Sequence, residues 1–293
     1  MRQSPLPGRS PLRLVRTLAA VAGVLPLLLV GPASPAPAAV AGFDDPVAID
    51  NPLFSLRAGT SFVYDGTITD ADGVHPHRVI FTVTDMVKRV DGVLTRVIWD
   101  RDIVDGELAE AELAFFAQND HDSVFTMGEY PEEYENGRFA GAPSTWISGR
   151  AHARAGVLVP GDPRVGLRFV QGVAPAVGFF DVGVVKRLHA RACASVGCFD
   201  DTTLIEESSP DAPEDGKQTK FYAPGVGLVK IGAEGGDSRE TMTLSRVRQL
   251  GAAGLAEARA AVLKLERRAY RINAPYGHTP PMHRCVDDQC GDA

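Results

Sequence analysis

The cysteines are the residues whose type and spacing first suggest chemistry. They form two C-x4-C pairs, Cys193 with Cys198 and Cys285 with Cys290. An even number of cysteines in a secreted chain is typical of disulfides. Three pairings are possible, and the short spacings, with Gly197 inside the first pair, favour closure of each pair on itself. We therefore predict that all four cysteines are in disulfides.

Zinc is the alternative use of the C-terminal pair, because two histidines lie nearby. His278, His283, Cys285 and Cys290 are ligand types that suit zinc. Their C-x4-C and H-x4-H spacings do not match the usual zinc-finger patterns. The sequence therefore favours disulfides, and we predict no metal site.

Two other polar clusters could hold a metal ion, and each has a simpler interpretation. The run Asn119 to Ser123 contains Asp120, His121 and Asp122, whose oxygens suit calcium. It lacks the spacing of an EF-hand loop, and a hairpin turn rich in Asn and Asp explains it without metal. His75 and His77 would share a strand face, but no third ligand can be assigned. We expect those two histidines in a solvated loop.

No catalytic motif stands out in the sequence. A G-x-S-x-G nucleophile elbow does not occur. Asp200 and Asp201 are adjacent, so on a strand their side chains would point to opposite faces and could not act on one bond. We predict that the protein is not an enzyme and needs no cofactor. A hydrolase remains the weakest of three functional hypotheses.

The first 41 residues have the three parts of a secretion signal. Four arginines precede an apolar run at 17–30, and small residues and prolines follow it. This order of basic, apolar and small-residue regions is typical of signal peptides. We predict cleavage after Ala41. The mature chain would then be secreted or retained in the cell envelope.

The charge balance excludes two classes of partner. The net charge is −7, and the predicted leader holds four arginines and no acid, so the mature chain would carry about −11. Nucleic acids and anionic membrane surfaces both attract clustered Lys and Arg. We therefore expect neither as a partner, and we expect no membrane span after signal removal.

The rest of the chain shows the two-residue alternation of β-strands. Alternating or β-branched runs at 61–69, 77–90 and 93–104 are separated by turn residues, and Asp91-Gly92 is a strong hairpin signal. Asp105-Gly106 repeats that signal, so we assign 107–118 to a strand although its composition would allow a helix. This pattern predicts an antiparallel all-β fold.

One segment has helical rather than strand periodicity. Residues 254–270 hold no internal glycine or proline, and their apolar residues recur on one face. We expect this amphipathic helix to dock its apolar stripe on the β body. The predicted organisation is a signal at 1–41, a β domain at 42–250, the helix at 251–272 and an irregular cysteine-containing tail at 273–293.

The glycine-rich run FYAPGVGLVKIG at 221–232 is predicted to be a hairpin rather than a phosphate-binding loop. A phosphate loop needs a helix after its glycines, and strand-like residues follow here. Pro224-Gly225 suits the centre of a type II turn. With Tyr222, Gly227 and Val229 it forms a Tyr-x-Pro-Gly-x-Gly-x-Val motif.

This motif resembles one in a group of uncharacterised secreted bacterial β-rich proteins. Segments 51–66, 127–139 and 144–169 are also similar to that group, so the resemblance spans about residues 51–247. It implies a secreted β-rich body. By looser analogy it implies a strongly curved sheet or an incompletely closed barrel of the lipoprotein-carrier kind. It supplies no catalytic residues.

Two aromatic pairs, Phe115-Phe116 and Phe179-Phe180, would place one ring on each side of a strand. Each outward ring then needs a cover, and the docked helix is the stronger explanation. Our leading functional hypothesis is an exported non-enzymatic protein whose curved sheet encloses an apolar or lipid-like small molecule. The alternative is an envelope-associated module that meets a partner protein through its acidic surface.

Overall fold

The computed structural model describes residues 42–285 and residue 290 of the chain. The predicted leader at 1–41 and the tail residues 286–289 and 291–293 lie outside the described residues. The strands are β1 (Thr60–Asp70), β2 (Gly73–Val90), β3 (Val93–Val104), β4 (Glu107–Gln118), β5 (Val124–Glu135), β6 (Arg138–Gly141), β7 (Trp146–Ile147), β8 (Arg154–Val159), β9 (Arg168–Ala174), β10 (Phe179–Ala194), β11 (Gly197–Ser208), β12 (Lys217–Ala223), β13 (Gly227–Glu234), β14 (Arg239–Gln249) and β15 (His283–Arg284). The helices are α1 (Ala252–Ile272) and α2 (Ala274–Gly277).

Twelve of these strands form a closed antiparallel barrel. The order is β1-β14-β13-β12-β11-β10-β9-β8-β5-β4-β3-β2, and β1 also pairs with β2, which closes the sheet on itself. The short strands β6 and β7 pair with β5, and β15 pairs with β2. The predicted all-β class, with a curved sheet or barrel and a C-terminal helix, is confirmed, and the closure is complete.

The predicted Asp-Gly hairpins form as the local sequence dictates. Asp91 and Gly92 have φ of 51° and 81°, and Asp105 and Gly106 have φ of 53° and 83°. Two successive positive φ values make the tight turns whose twist matches that of paired strands. Residues 107–118 lie between two such ladders as β4, so the strand assignment there is confirmed.

The glycine-rich run is the predicted turn. Val226 donates its backbone N–H to the carbonyl oxygen of Ala223 at 3.0 Å, and Gly225 has a φ of 76°. Proline followed by a residue with positive φ is the signature of a type II turn. β12 and β13 flank this turn, and no helix begins there.

Helix α1 docks on the outer wall of the barrel, as the sequence predicted. Its buried residues are Ala258, Val262, Leu265, Glu266 and Ala269. Val262, Leu265 and Ala269 pack with the outward-facing residues of β2 to β5 in a core distinct from the barrel interior. Burial of this apolar stripe supplies most of the stability of such a helix.

The helix explains the first aromatic pair. Phe115 is fully buried in the core under α1, whereas Phe116 is buried in the core inside the barrel. Neighbouring residues of β4 therefore face two different cores.

The described residues contain no helix long and apolar enough to cross a membrane.

Candidate ligand site in the barrel

The barrel interior contains a cavity of about 470 Å³. Its wall includes residues from β1 to β5 and from β10 to β14. Cavities that hold small molecules commonly measure about 300–1,000 Å³. The size of the interior therefore fits a small organic molecule, and the chemistry of its wall decides which kind.

One end of the cavity is closed by the chain segment at 47–56, which we call the plug. Asn51 fixes it: its backbone N–H donates to Gln118 Oε1 at 2.8 Å, and its side-chain amide donates to the Asp122 carbonyl at 2.6 Å. The Pro52 carbonyl accepts from the Gly225 N–H at 2.8 Å. These bonds seat Phe54 and Leu56 in the cavity wall, where both are buried.

The half of the cavity beside the plug is apolar and aromatic. The Phe54 ring makes edge contacts with Phe81, Phe116 and Tyr222, at centroid distances of 6.1, 5.8 and 6.3 Å. Aromatic rings prefer this T-shaped arrangement because a positive edge meets a negative face. Leu158, Leu228 and Met242 also line the cavity. This half can accept hydrocarbon but offers few polar partners.

The opposite half opens to solvent between loops. Gly178, on the turn before β10, and Lys217, at the start of β12, line the cavity and are both exposed. Trp146 stacks on Phe179 at a centroid distance of 5.1 Å, and its Nε1–H donates to Glu129 at 3.1 Å. We call this end of the barrel the mouth.

The wall changes from apolar to acidic between the plug and the mouth. On β3, Ile98 is followed by Asp100 and Asp102 at successive inward positions. On β4, Glu112 and Glu110 lie on the mouth side of Ala114. The inward-facing side chains change from apolar to acidic at the same level on both strands. Ile98 pairs with Ala114, and the next inward pair, Asp100 with Glu112, is acidic. The cavity therefore has two chemically distinct ends.

The acidic positions of β3 and β4 lie directly opposite each other. Asp100 pairs with Glu112, and Asp102 pairs with Glu110. Like charges at opposed positions of a sheet destabilise it. Burial raises the pKa of Asp100 well above its ordinary value, and the charges of Asp102 and Glu110 add to that shift. The fold holds these carboxyl groups together at a cost in free energy.

Further carboxylates come from other strands, and Lys220 and His77 lie among them. Lys220 contacts Glu207 at 2.5 Å; burial lowers its pKa, and Glu207 more than offsets this, so the pKa is raised overall. His77 lies between Glu240, at 3.0 Å, and Asp102, at 3.6 Å. Burial opposes its charged form, but the two carboxylates raise the pKa of His77 to about 9. His77 is therefore a cation at neutral pH.

The histidine expectation was wrong in part. His75 and His77 were expected in a solvated loop, but both lie on β2, and the side chain of His77 is only 2% exposed. The proline between them does not break the strand, because the side of Pro76 that lacks an N–H faces β3, and the β2–β3 ladder begins only at His77. Pro76 pairs with Thr67 of β1. His75 bonds Asp105 at 2.8 Å outside the cavity, so the two histidines do not act together.

The structure joins Cys193 to Cys198 and Cys285 to Cys290, the local pairing that the spacing favoured. The zinc alternative therefore loses two of its four ligands. Neither disulfide borders the cavity. Among the described residues, no group of three His, Cys, Asp or Glu side chains is arranged to hold a metal ion.

The Asn119 to Ser123 run forms the turn between β4 and β5. Asn119 Oδ1 accepts from the backbone N–H groups of His121, at 3.1 Å, and Ser123, at 2.9 Å. Asp120 accepts the N–H of Asp44 at 2.8 Å. This is the hairpin turn rich in Asn and Asp that the sequence predicted, and it supports the plug from outside.

Sequence reasoning missed the carboxylates of the cavity wall. Asp100 and Asp102, and likewise Glu110 and Glu112, occupy alternate positions on the two strands that flank Asp105-Gly106. The signal was present, because acids at every second position of a strand must share one face. Which face points inward was not readable from the pattern.

Two solved structures of exported or lipoprotein-like chains align with this protein at low sequence identity. No protein-family model matches the chain, and no curated protein does. A solved structure from Bacteroides fragilis, described as an exported protein with a YmcC-like fold, aligns with 67% of this chain and 98% of its own at a TM-score of 0.37 and 12% identity. Another, described as a lipoprotein from Parabacteroides distasonis, has the same coverages, a TM-score of 0.32 and 15% identity.

Proposed function

We propose that the protein is an exported, non-enzymatic binding protein that holds one small amphiphilic molecule inside its barrel. The observation that carries the proposal is the interior cavity of about 470 Å³ with an aromatic closed end and a polar mouth. A ligand would place its hydrocarbon part against Phe54, Phe81 and Phe116 and keep its polar end towards the mouth. Burial of hydrocarbon would supply most of the affinity.

Export is supported by two independent features of the chain. The first 41 residues have the order of regions found in secretion signals. The four cysteines pair into two disulfides, which persist outside the cytoplasm and are rare inside it. The alternative hypothesis, that the protein binds a partner protein in the cell envelope, stays a prediction.

The experiment is ligand capture by the purified mature chain, residues 42–293. Native mass spectrometry followed by solvent extraction would reveal a retained molecule. Titration with the hydrophobic fluorophore N-phenyl-1-naphthylamine would measure binding to the apolar half. We expect one probe to bind per chain and the extracted molecule to displace it.

A substitution that fills the cavity makes the experiment specific. Leu228→Trp adds an aromatic ring inside the apolar half, whereas Val247→Trp adds the same ring at an exposed position of β14. We expect Leu228→Trp to weaken probe binding at least tenfold and Val247→Trp to leave it unchanged. Equal binding by both variants, at equal thermal stability, would contradict the proposal.

A further inference from the structure

We propose that the hydroxyl groups of Tyr64 and Tyr222 donate hydrogen bonds to the ligand's polar end, so that the barrel selects amphiphiles with an uncharged oxygen acceptor, such as an ester of glycerol. This inference rests on the proposed function and names the chemical class of its ligand. It follows from where the two side chains lie in the cavity and from the partners that their hydroxyl groups lack.

Both tyrosines line the cavity and are buried. Tyr64 lies on β1 and is 7% exposed, and Tyr222 lies on β12 and is 1% exposed. Neither hydroxyl group has a hydrogen-bond partner in the part of the chain that the structure describes. A buried tyrosine hydroxyl normally finds a partner, so each exception calls for an explanation.

The remaining tyrosines of the chain show what a structural hydroxyl group looks like. All four lie in the core under helix α1, and each hydroxyl donates to a carboxylate or carbonyl oxygen at 2.7 to 3.5 Å. They are Tyr130, Tyr134, Tyr270 and Tyr276. Of the six tyrosines, the two without a partner are therefore the two that face the cavity.

The two tyrosines lie at the boundary between the apolar and polar halves of the cavity. On β12, Tyr222 contacts the Phe54 ring of the plug at a centroid distance of 6.3 Å, and Lys220 is the next inward residue towards the mouth. On β1, Tyr64 comes one inward position after Phe62, which belongs to the aromatic end. A donor at this level would meet the first polar atoms that follow a hydrocarbon chain.

The two hydroxyl groups keep their protons and are available as donors. Burial raises the pKa of both well above its ordinary value, with smaller contributions from Asp100 at Tyr64 and from Glu207 at Tyr222. The charge of an ionised Tyr64 would also raise the pKa of Tyr222, as expected of neighbouring groups. A neutral phenol donates one hydrogen bond, so the pair can satisfy two acceptor sites of a ligand.

An uncharged head group fits this position better than an ion. Moving a charge out of water costs far more free energy than moving a carbonyl group, unless an opposite charge compensates it. Lys220 is already paired with Glu207, and His77 lies between two carboxylates. Burial raises the pKa of Asp100 and so favours its neutral form. The wall therefore offers hydrogen-bond donors at this depth rather than a free counter-charge.

The experiment compares three ligands that share a twelve-carbon chain: monododecanoylglycerol, dodecanoate and dodecyltrimethylammonium. Displacement of N-phenyl-1-naphthylamine, below the micelle concentration of each ligand, would measure their affinities for the mature chain. We expect the uncharged ester to bind at least fivefold more tightly than either ion. Tighter binding of one of the ions would overturn the inference.

A paired substitution tests the hydroxyl groups themselves. Tyr64→Phe with Tyr222→Phe removes both hydroxyls and keeps both rings. We expect at least a tenfold loss of affinity for monododecanoylglycerol, because its buried oxygen atoms are left without donors. N-phenyl-1-naphthylamine, which contains no oxygen, should bind as before. The control Tyr134→Phe removes a hydroxyl group outside the cavity and should leave both affinities unchanged.

Two further readouts separate ligand binding from a structural role. Without ligand, the paired variant should unfold at the same temperature as the native protein, because neither hydroxyl bonds another described residue. The infrared band of an isotope-labelled ester carbonyl should lie at lower frequency in the native protein than in the variant, because hydrogen bonds weaken the carbonyl bond. A clear loss of thermal stability, or equal carbonyl frequencies, would overturn the inference.

The outcomes distinguish this inference from the proposed function. Failure of the probe and of all three ligands to bind would overturn both. Binding of the probe and of monododecanoylglycerol with equal affinity to the native protein and to the paired variant would leave the proposed function standing and would overturn the role of Tyr64 and Tyr222.

Discussion

Buried charge occurs in two regions of this molecule, and the fold treats it differently in each. Under helix α1 every ionised group that fixes the helix has a partner of opposite sign. Lys88 is fully buried and donates to Glu266 at 2.9 Å and to the Pro280 carbonyl at 2.6 Å. Arg268 pairs with Glu132. Inside the barrel, carboxylates face one another across the strands.

The pairs under the helix are also saturated with hydrogen bonds. Glu266 accepts the backbone N–H of Met282 at 2.9 Å, and the rings of Tyr270 and Tyr276 flank the Lys88 ammonium at 5.1 and 4.4 Å. Buried ion pairs are tolerated when the geometry is good and the remaining donors and acceptors are satisfied. These groups therefore hold the helix and the tail in place on the barrel.

The difference separates charges that hold packed elements together from charges that line a cavity. Matched charge lies where two elements pack and no space remains. Around the cavity, carboxyl groups of neighbouring strands lie at directly opposed positions, Asp100 with Glu112 and Asp102 with Glu110, and this arrangement costs stability. Perturbed groups of the second kind are the better indicator of a site.

The largest expected effect comes from breaking a matched pair. Lys88→Met should destabilise the protein by about 3–5 kcal/mol, because it leaves Glu266 buried without its cation. Urea unfolding would measure the loss. Lys264→Met, at an exposed position of the same helix, should change the free energy of unfolding by less than about 0.5 kcal/mol. A loss below about 1 kcal/mol in Lys88→Met would contradict the matched role.

We expect a smaller effect on stability from His77, the cation that lies among carboxylates of the cavity wall. Its pKa is raised from 6.5 to about 9 in the folded chain. Its stabilisation is therefore present in full below pH 6.5 and is lost as the pH rises to about 9. We expect a loss of about 1–3 kcal/mol over this range, less than the full shift implies because the mouth admits solvent.

His77→Gln provides the comparison for that pH dependence. Urea unfolding of both proteins between pH 6 and 10 would give the slope of stability against pH. Other titrating groups contribute equally to the pH dependence of stability in both proteins, so their contribution cancels when one curve is subtracted from the other. Parallel curves for the two proteins would show that His77 does not hold its proton as described.

The smallest effect is a gain rather than a loss. Asp100→Asn should stabilise the protein at neutral pH by about 1 kcal/mol, because burial and the charges of Asp102 and Glu110 oppose ionisation of Asp100, whereas asparagine is neutral at every pH. Thermal and urea unfolding at low salt would measure it, and added salt should reduce the gain. A destabilised variant would instead show that the native carboxyl group stabilises the fold, as the ion pairs under the helix do.

Much of the fold was predictable because its signals are local. Asp91-Gly92 and Asp105-Gly106 specify tight turns through their own backbone preferences. The apolar spacing of Ala258, Val262 and Leu265 specifies a helix with one buried face. These features need no knowledge of what lies across the barrel.

The site was not predictable because the direction of β3 depends on a distant element. Trp99 and Val97 face outward, yet both pack in the core that α1 covers. An alternating strand with tryptophan on one face and aspartates on the other suggests that the acids face solvent. Only the docked helix makes the apolar face the outer one and turns Asp100 and Asp102 into the cavity.

The plug also determines when this protein can finish folding. Asn51 bonds Gln118, Asp122 and Pro160, which follow it by 67, 71 and 109 residues. Such pairings carry a large loop-closure entropy and form slowly. A segment near the start of the described chain must wait until the middle strands are in register. We therefore expect the closed end of the cavity to be sealed after the middle strands have paired. In a Trp99→Phe variant, a denaturant jump should change the emission of Trp146 near the mouth before the amide of Asn51 becomes protected from hydrogen exchange.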